Sequence, residues 1–377
     1  MLTNPELPGT MRAAQGKDYG PIAEMISVED GVNVPHLSDL PEKKRAKFMV
    51  LKIHAVSLAP GDCRVLSGLT RELQGPPSFP YIPGGDCCGI VVELPENAEE
   101  LNIPFRVGDR VAARFAVEGP RGALGEHALV SSLVADKVPK DLSSEGAAAL
   151  ASASPAVLLA DRIQNGERVL VLGAGGGVGS HLCQLLRSNG ASYIVGVSSK
   201  PQRLLELPIC CDKAIDYTKQ DPFSVEEFQK DPFDVVFDLA SGGWPHLLQS
   251  LEGDVPSIVK PASLGGRYIT TTPDNPHFEI HSTWAALQVF LFPTLWRALV
   301  SRTWSRSKLP SYTYALELPT DRPVMTRTME LARQGTLKPV MDPSGPFPFT
   351  TDGVRAAFST QKSRHPQGKV VVHVSDS

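Results

Sequence analysis

The sequence predicts an α/β protein in which a doubly wound parallel sheet is joined to a separate, mostly β domain. In residues 168–272, short apolar runs alternate with stretches of helical periodicity, which is the pattern of parallel strands connected by helices. In residues 11–150, short β-rich segments are separated by proline and glycine, which favours a compact barrel. With 377 residues the chain is long enough for both domains.

The β-rich part contains three segments that we expect to include strands, and it ends in helical composition. The strand-containing segments are 48–58, 81–92 and 107–113, and the helical segments are 143–151 and 155–161. Beyond residue 190 the alternation continues. The predicted strands there are 193–197, 214–217, 234–239, 266–272, 312–316 and 369–373, and the predicted helices are 202–207, 224–229, 244–251, 324–333 and 352–359.

Composition places the chain among ordinary globular proteins. Hydrophobic residues make up 42% and charged residues 21% of the sequence, and the net charge is −4. This charge gives no electrostatic case for binding nucleic acid. The first ten residues hold neither an apolar core nor a basic cluster, so we predict no signal peptide and a cytoplasmic location.

The cysteines predict no metal centre. Two adjacent pairs and two single residues provide no Cys-x-x-Cys spacing, so we expect reduced, buried thiols. The six residues are Cys63, Cys87, Cys88, Cys183, Cys210 and Cys211.

A glycine-rich turn organises the second half of the chain. Val169–Leu172 form a fully apolar run, typical of a strand that is buried on both faces. Five glycines follow between Gly173 and Gly179, and leucines at helical spacing then continue to Asn189. This strand, turn and helix are the context that a dinucleotide fingerprint requires, because bare backbone must approach a pyrophosphate at a helix N-terminus. A flexible loop that binds nothing is the alternative.

The residues after the second strand of this unit favour NADPH over NADH. An acid that binds the ribose 2′-hydroxyl usually follows the glycines by about 20 residues. Ser198, Ser199 and Lys200 stand there instead, with Arg203 close behind. Hydroxyls and cations suit a 2′-phosphate. The alternative is that Lys200 and Arg203 are solvated surface charges.

Residues 274–310 interrupt the alternation with an apolar run, Trp284–Val300. Pro293 and Arg297 divide this run, and it is shorter than a membrane span. We therefore expect it to pack on the protein as a lid or a subunit contact and predict no transmembrane segment. A membrane-surface role is the alternative.

Short motifs at turns and strand ends cover nearly the whole chain. They are Ala59-Pro-Gly-Asp62, Pro83-Gly-x-Asp86-x-x-Gly89, Val107-Gly-Asp-x-Val111, Gly173–Gly179, Ala214–Tyr217, Phe233–Asp238, Gly265–Arg267 and Gly368–Val371. Together they resemble the medium-chain dehydrogenase/reductases, in their zinc-free quinone oxidoreductase branch. The apolar run and residues 335–340 look most like the reticulon-4-interacting protein 1 subgroup.

This resemblance implies a Rossmann domain inserted in a GroES-like β-barrel catalytic domain. The Rossmann NADP-binding domain would comprise residues 156–320, with an insertion at 274–310, and the catalytic domain residues 1–155 and 321–377. NADPH would lie in the cleft between the two domains. The implied cofactor-binding residues are Gly175, Gly176, Gly177 and Val178 at the pyrophosphate, Ser199 and Lys200 at the 2′-phosphate, Tyr217 at the adenosine and Ser241 at the nicotinamide.

The chain departs from the family pattern at several positions near the expected site. Ala59, Pro155 and His127 replace the family's Asn, Thr and Tyr. Gly61 and the Gly85-Asp86 pair stand where zinc-dependent members place metal ligands, so we predict no catalytic zinc. The sequence names no proton donor, so the catalytic residues are unknown at this point. The resemblance places Tyr81 and Thr70 near the expected reaction centre, and a core or loop role is the alternative for each.

The predicted activity is NADPH-dependent hydride transfer to a small-molecule quinone or α,β-unsaturated carbonyl. Without zinc, alcohol oxidation lacks its Lewis acid, whereas a conjugated acceptor takes hydride directly. Two alternatives stay open. One is an NADPH-binding regulatory or scaffold protein, favoured by Ala59 and Pro155, and the other is an enoyl-thioester reductase. The resemblance also leaves open a homodimer and, through its subgroup, a mitochondrial location.

Overall fold

The chain divides into two compact units. One unit comprises Met1–Gly68, Gln74–Pro155 and Leu318–Ser377, and the other comprises Leu69–Leu73 and Ala156–Glu317. The computed structural model describes residues 7–72, 75–76, 78–116, 122–252, 256–275, 277–280, 282–303, 305–315 and 322–376. The second unit thus interrupts the first and includes a short early segment, 69–73, that the sequence did not indicate.

The strands of the described chain, numbered in order, belong to three sheets. They are β1 Thr10–Gly16, β2 Ile26–Asn33, β3 Phe48–Leu58, β4 Asp86–Glu93, β5 Arg110–Ala113, β6 His127–Ser131, β7 Ala135–Lys137, β8 Arg168–Leu172, β9 Tyr193–Ser198, β10 Lys213–Asp216, β11 Val235–Asp238, β12 Arg267–Thr270, β13 Ser311–Tyr314, β14 Phe347–Pro348 and β15 Val370–His373.

The α-helices of the described chain are numbered in the same way. They are α1 Ile22–Met25, α2 Glu42–Arg45, α3 Pro60–Ser67, α4 Ser144–Ala153, α5 Pro155–Ala160, α6 Gly179–Ser188, α7 Gln202–Leu205, α8 Glu226–Lys230, α9 Gly243–Glu252, α10 Thr283–Ala286, α11 Phe292–Arg302, α12 Pro323–Arg333 and α13 Thr351–Lys362.

The first unit is built on antiparallel strands. Its larger sheet follows the order β14-β15-β3-β4-β5-β7, with β6 paired to β3, and β1 pairs with β2 in a separate sheet. The long strand β3 is central, because it pairs with β4, β6 and β15, and nearly all its side chains are buried. The core of this unit lies on β3 and on the elements that cover it.

The second unit contains the predicted doubly wound parallel sheet. Its six strands follow the order β10-β9-β8-β11-β12-β13, and every neighbouring pair is parallel. The chain runs outward from β8 in one direction and then returns to begin again at β11. Ligands of such sheets bind beyond the carboxyl ends of the strands, where the order reverses. A cofactor site is therefore expected at the carboxyl ends of β8 and β11.

The apolar run forms one continuous helix, Thr283–Arg302, in which a π-helical turn, Leu287–Leu291, joins α10 to α11. Pro293 lies in the first turn of α11, where a backbone N–H can be spared, so it does not break the helix. Within the described residues, this is one helix of 20 residues that is long and apolar enough to cross a membrane, by length and composition only. The expectation that the run is too short was wrong.

Candidate cofactor site

The glycine turn connects β8 to α6 with backbone geometry that side chains would prevent. Gly173 has a φ of 80°, a left-handed conformation that L-residues rarely adopt. At Gly179, a Cβ atom would lie 2.3 Å from the carbonyl oxygen of Gly173 and 2.7 Å from Cα of Ala174. Glycine at 179 thus allows the helix to start directly against the end of the strand.

The middle of the turn is open, in contrast to its two ends. Gly175–Val178 are half-buried, and a Cβ atom at Gly176 would meet only the Gly173 carbonyl oxygen, at 3.4 Å. The N–H groups of Gly177 and Val178 donate to no group in the described part of the chain. These unpaired donors at the start of α6 carry partial positive charge and suit a pyrophosphate.

The end of β9 lies beside this turn. The Ala174 N–H donates to the carbonyl oxygen of Val197 at 3.0 Å, and a Cβ atom at Gly175 would stand 2.5 Å from Oγ of Ser198. Ser198 is buried, and its Oγ accepts a hydrogen bond from the N–H of Lys200 at 3.2 Å. The hydroxyl of Ser198 therefore shapes the turn, while Ser199 is half-buried and Lys200 is exposed.

The acid of this region, Asp216, is already engaged. Asp216 pairs with Ser198 in the sheet register, and its carboxylate accepts hydrogen bonds from the N–H and the hydroxyl of Thr218 and pairs with Lys219 at 3.2 Å. The Thr218 hydroxyl, together with Lys219, lowers the pKa of this carboxyl. Tyr217, the next residue, is 48% exposed and can offer a ring face to an adenine.

The end of β11 is organised by a buried carboxylate that sequence reasoning did not single out. Asp238 accepts hydrogen bonds from the N–H groups of Ala240, Ser241 and Gly243 at 3.0, 2.8 and 2.9 Å. It also accepts the hydroxyl hydrogen bond of Tyr268. Its position at the end of an apolar strand, four residues before a Gly-Gly pair, was the available signal.

Asp238 folds the following loop back over the strand end and holds Ser241 in a strained conformation. Ser241 has a φ of 83°, which is unusual for a residue other than glycine. Its Oγ is buried and has no hydrogen-bond partner in the described chain. A strained residue with an unsatisfied hydroxyl at the switch point fits a bound polar group, as expected for Ser241.

Tyr268 is fixed as a hydrogen-bond donor in this arrangement. Burial, followed by the nearby charge of Asp238, raises the pKa of Tyr268 well above its usual value. Its ring packs edge-on against Trp244 and is stacked on Tyr312. The turn that carries Ser241 therefore rests on a rigid aromatic support.

In the first unit, the residues at the expected zinc-ligand positions do not fit a zinc ion. A Cβ atom at Gly85 would lie 2.4 Å from Cβ of Phe115, so a larger ligand side chain has no space there. Asp86 accepts a hydrogen bond from the N–H of Phe115. Cys63 stands two residues after Gly61, outside the ligand positions. Burial, followed by the charge of Asp62, raises the pKa of Cys63 to about 12, whereas zinc binds thiolate. No group of three metal-ligating side chains occurs in the described residues.

Three other residues of interest adopt structural positions. Tyr81 belongs to the core of the first unit, and its backbone exchanges hydrogen bonds with Gly16. Thr70 lies buried in the short segment of the second unit. His127 is buried, and burial lowers its pKa. None of them gains a demonstrated catalytic role from this placement.

Family models match the chain in both units. A model described as "Alcohol dehydrogenase GroES-like domain" matches residues 45–140, and one described as "Zinc-binding dehydrogenase" matches residues 211–372. A model for the "NAD dependent epimerase/dehydratase family" matches residues 169–252, which contain the glycine turn. The 2-methylene-furan-3-one reductase of Solanum lycopersicum is 30% identical over 98% of this chain and 81% of its own length.

The chain belongs to the medium-chain dehydrogenase/reductase family. Two further relatives of this type are 28% identical. The chloroplastic NADPH-dependent alkenal/one oxidoreductase of Arabidopsis thaliana matches over 97% of this chain and 80% of its own length. The mitochondrial NAD(P)H oxidoreductase RTN4IP1 of Homo sapiens matches over 86% of this chain and 81% of its own. Quinone oxidoreductases also match, so the predicted branch of the family is confirmed.

Solved structures of this family share the fold. The Escherichia coli quinone oxidoreductase, solved in complex with NADPH, aligns with a TM-score of 0.67 at 20% identity. The alignment covers 97% of this chain and 100% of that one. The predicted combination of a Rossmann-type sheet with a GroES-like domain is therefore confirmed. The assignment of individual residues to the cofactor stays a prediction, for which the geometry of the turn, of Lys200 and of Ser241 is the physical support.

Proposed function

We propose that this protein is an NADPH-dependent, zinc-independent oxidoreductase that reduces quinones or α,β-unsaturated carbonyl compounds. The observation that carries the proposal is the carboxyl edge of the parallel sheet. A glycine turn, with two N–H groups that donate to nothing in the described residues, lies beside a strand end that bears Ser199 and Lys200 in place of an acid. Two relatives that match nearly the whole chain are named as an NADPH-dependent alkenal/one oxidoreductase and a 2-methylene-furan-3-one reductase.

Each part of the edge has a distinct task in this proposal. The N–H groups of Gly177 and Val178 bind the pyrophosphate, next to Gly175 and Gly176, which leave room for it. Lys200 and the Ser199 hydroxyl bind the 2′-phosphate through charge-assisted hydrogen bonds. NADPH, when bound, supplies a hydride to the acceptor.

The adenosine and nicotinamide ends are held by two other residues. Tyr217 presents its exposed ring to the adenosine. The buried Ser241 hydroxyl hydrogen-bonds the nicotinamide, and Asp238 holds Ser241 in position by accepting its N–H. This support keeps the hydroxyl fixed without reorganisation when the cofactor binds.

The substrate class follows from the chemistry that the ligand set permits. The residues at the zinc-ligand positions provide no three-ligand site, so a simple alcohol would lack the Lewis acid that eases its oxidation. A quinone or an enone accepts hydride at a conjugated carbon, and the resulting oxyanion is stabilised by hydrogen bonds or protonated by water. We therefore propose these acceptors and assign no protein side chain as the proton donor.

An NADPH-depletion assay across acceptor classes tests this function. The panel contains ortho- and para-quinones, enones, alkenals, enoyl thioesters and saturated aldehydes, together with simple alcohols and NADP⁺ in the reverse direction. Turnover with quinones or enones, and none with alcohols, is the expected result. Binding of NADPH without turnover of any acceptor would instead favour a regulatory or scaffold protein. A preference for enoyl thioesters would favour an enoyl-thioester reductase.

Metal content provides the second test. Purified protein is expected to contain no stoichiometric zinc and to keep its activity in the presence of a chelator. One zinc per chain, with activity lost on chelation, would contradict zinc independence.

We propose a cytoplasmic location for the chain, although the relatives include chloroplastic and mitochondrial proteins. We also propose a homodimer, which a measurement of the molecular mass in solution tests.

A further inference from the structure

The helix Thr283–Arg302 carries an apolar face whose side chains are largely exposed. Six of its large apolar side chains are exposed, with Leu295 and Trp296 at 58%. The six are Trp284, Leu291, Phe292, Leu295, Trp296 and Leu299. Monomeric soluble proteins rarely expose a contiguous apolar patch of this kind unless it contacts something. We refer to these six side chains as the apolar face.

The opposite side of the same helix is fixed to the second unit. The ring of Phe290 packs against Phe278 and Tyr314, and the Arg297 guanidinium pairs with the carboxylate of Asp274. The buried Ser301 hydroxyl accepts a hydrogen bond from the N–H of Tyr312 on β13. One side of the helix is therefore held by contacts with the second unit, and the other side is exposed.

The strand topology shows that this helix does not cross a membrane, although its length and composition would allow it. The helix follows β12 and leads to β13, and these two strands are hydrogen-bonded neighbours in one sheet. A single crossing would place its two ends about 30 Å apart on opposite sides of the hydrocarbon. The connection before the helix would then have to return through the lipid as irregular chain, which the bilayer does not tolerate.

The charges along the helix and in the loop that follows it have one sign. From Ile280 to Leu316 the sequence contains no aspartate or glutamate, whereas it contains three arginines and one lysine. Arg302, Arg306 and Lys308, at and just after the end of the helix, are exposed. Exposed apolar side chains that include tryptophan, in a segment that carries cations and no acids, are the combination that binds an anionic lipid surface.

A second copy of the chain fits this surface less well. A two-fold axis would place the same patch on both sides of the contact, so the cations near the helix end would face an identical segment without acids. Such a contact would leave these cations without an acidic partner and would gain no charge complementarity. The phosphate groups of anionic lipids, in contrast, complement Arg302, Arg306 and Lys308.

We propose that the apolar face and the three adjacent cations form a peripheral docking site for an anionic lipid bilayer. The helix lies in the plane of the interface, with Leu295, Trp296 and Leu299 inserted among the acyl chains and headgroups. Arg302, Arg306 and Lys308 contact the lipid phosphates. The site does not depend on the cofactor, and it would hold the second unit at a surface where apolar substrates accumulate.

Co-sedimentation of the full chain with vesicles tests this site. The vesicles contain phosphatidylcholine alone, or phosphatidylcholine with about a third phosphatidylserine as the anionic lipid. Binding is expected on the anionic vesicles, with at least about tenfold weaker partitioning on the neutral ones and a marked decrease at high salt. A chain that stays in solution with both kinds of vesicle would overturn the proposal.

Two variants separate the apolar and the charged contributions. Leu295→Gln with Leu299→Gln should reduce partitioning by at least about tenfold, because each leucine loses its transfer into the apolar layer. Arg306→Glu with Lys308→Glu should reduce binding to anionic vesicles at least about twenty-five-fold, at roughly fivefold for each cation lost, and leave binding to neutral vesicles unchanged.

Matched control variants test whether these effects are specific to the proposed docking site. Leu207→Gln replaces another leucine, which is 86% exposed in the same unit, and Lys43→Glu with Lys44→Glu makes the same charge change on α2. Both controls should bind vesicles as the unmodified chain does. If they lose binding equally, or if the Leu295 and Leu299 variant binds as well as the unmodified chain, the proposed site is wrong. A fall in oligomeric mass in that variant, with no vesicle binding by the unmodified chain, would assign the face to a second copy.

Discussion

The glycine turn after β8 and the helix Thr283–Arg302 belong to the same unit, yet the sequence predicted them with very different success. The turn is a local feature, because the tight bend, the open backbone and the helix start are all set by residues 173–179. The surroundings of the helix are not local. An apolar period shows that a helix has a face to bury, but it does not show what covers that face.

The difference teaches that the two predictions rest on different physics. Glycine was required at Gly173 by φ and at Gly179 by a 2.3 Å approach, which are properties of the backbone itself. The apolar run was expected to pack on the protein, because buried apolar side chains are the common case. In the structure six of its large side chains are exposed, and the helix is held through Phe290, Arg297 and Ser301.

The largest expected effect is at the open middle of the turn. Gly176→Val should weaken NADPH binding by at least about a hundredfold, or about 2.7 kcal/mol, because its side chain enters the space of the pyrophosphate. The fold should survive, since a Cβ atom there meets only one carbonyl oxygen at 3.4 Å. Titration of NADPH and thermal unfolding measure the two quantities.

Gly179→Val is the contrasting variant for the same turn. Its side chain would clash with Gly173 and Ala174, so the main loss should be in stability rather than in binding alone. A folded Gly176→Val protein with unchanged NADPH affinity would show that the turn is not the phosphate site.

The next effect concerns the buried carboxylate at the end of β11. Asp238→Ala should lower the free energy of unfolding by roughly 2–4 kcal/mol, because three N–H groups and the Tyr268 hydroxyl lose their acceptor. Asp231→Ala removes a carboxylate that is 63% exposed and pairs with Arg168, and should cost about 0.5 kcal/mol or less. Denaturant unfolding that finds the same small loss for both variants would contradict the assigned role of Asp238.

A smaller effect is expected at the cofactor's 2′-phosphate. Lys200→Glu should weaken NADPH binding by about 1–3 kcal/mol and change the affinity for NADH little, because the lost contact is charge-assisted and specific to the 2′-phosphate. Paired titrations with both cofactors measure this selectivity. Equal affinity of the unmodified protein for NADPH and NADH would refute the preference from which the prediction starts.

Features that are set by nearby residues could be predicted from the sequence, whereas features that depend on tertiary structure could not. The parallel sheet, its strand positions and the absence of an acid after β9 could be predicted from apolar runs and spacing. The role of Asp238 could not, because its partners Ser241, Gly243 and Tyr268 meet only when β11 and β12 are side by side. The continuity of the helix through Pro293 also escaped prediction, since a π-helical turn places the proline where its missing N–H costs little.

The smallest expected effect is on the stability of the variant that should matter most for docking. Leu295→Gln with Leu299→Gln should change the free energy of unfolding by no more than about 0.5 kcal/mol, because both side chains are more than half exposed. Phe290→Ala, on the opposite side of the same helix, should cost about 2 kcal/mol by removing ring contacts with Phe278 and Tyr314. Denaturant unfolding at several protein concentrations compares the two.

A loss of about 2 kcal/mol or more in the leucine variant would mean that the apolar face is covered in the protein as it exists in solution. If that loss grew with protein concentration, a second copy would be the cover. A stable leucine variant beside a destabilised Phe290→Ala would instead confirm that the helix is held from one side only and leaves its apolar face for a surface outside the chain.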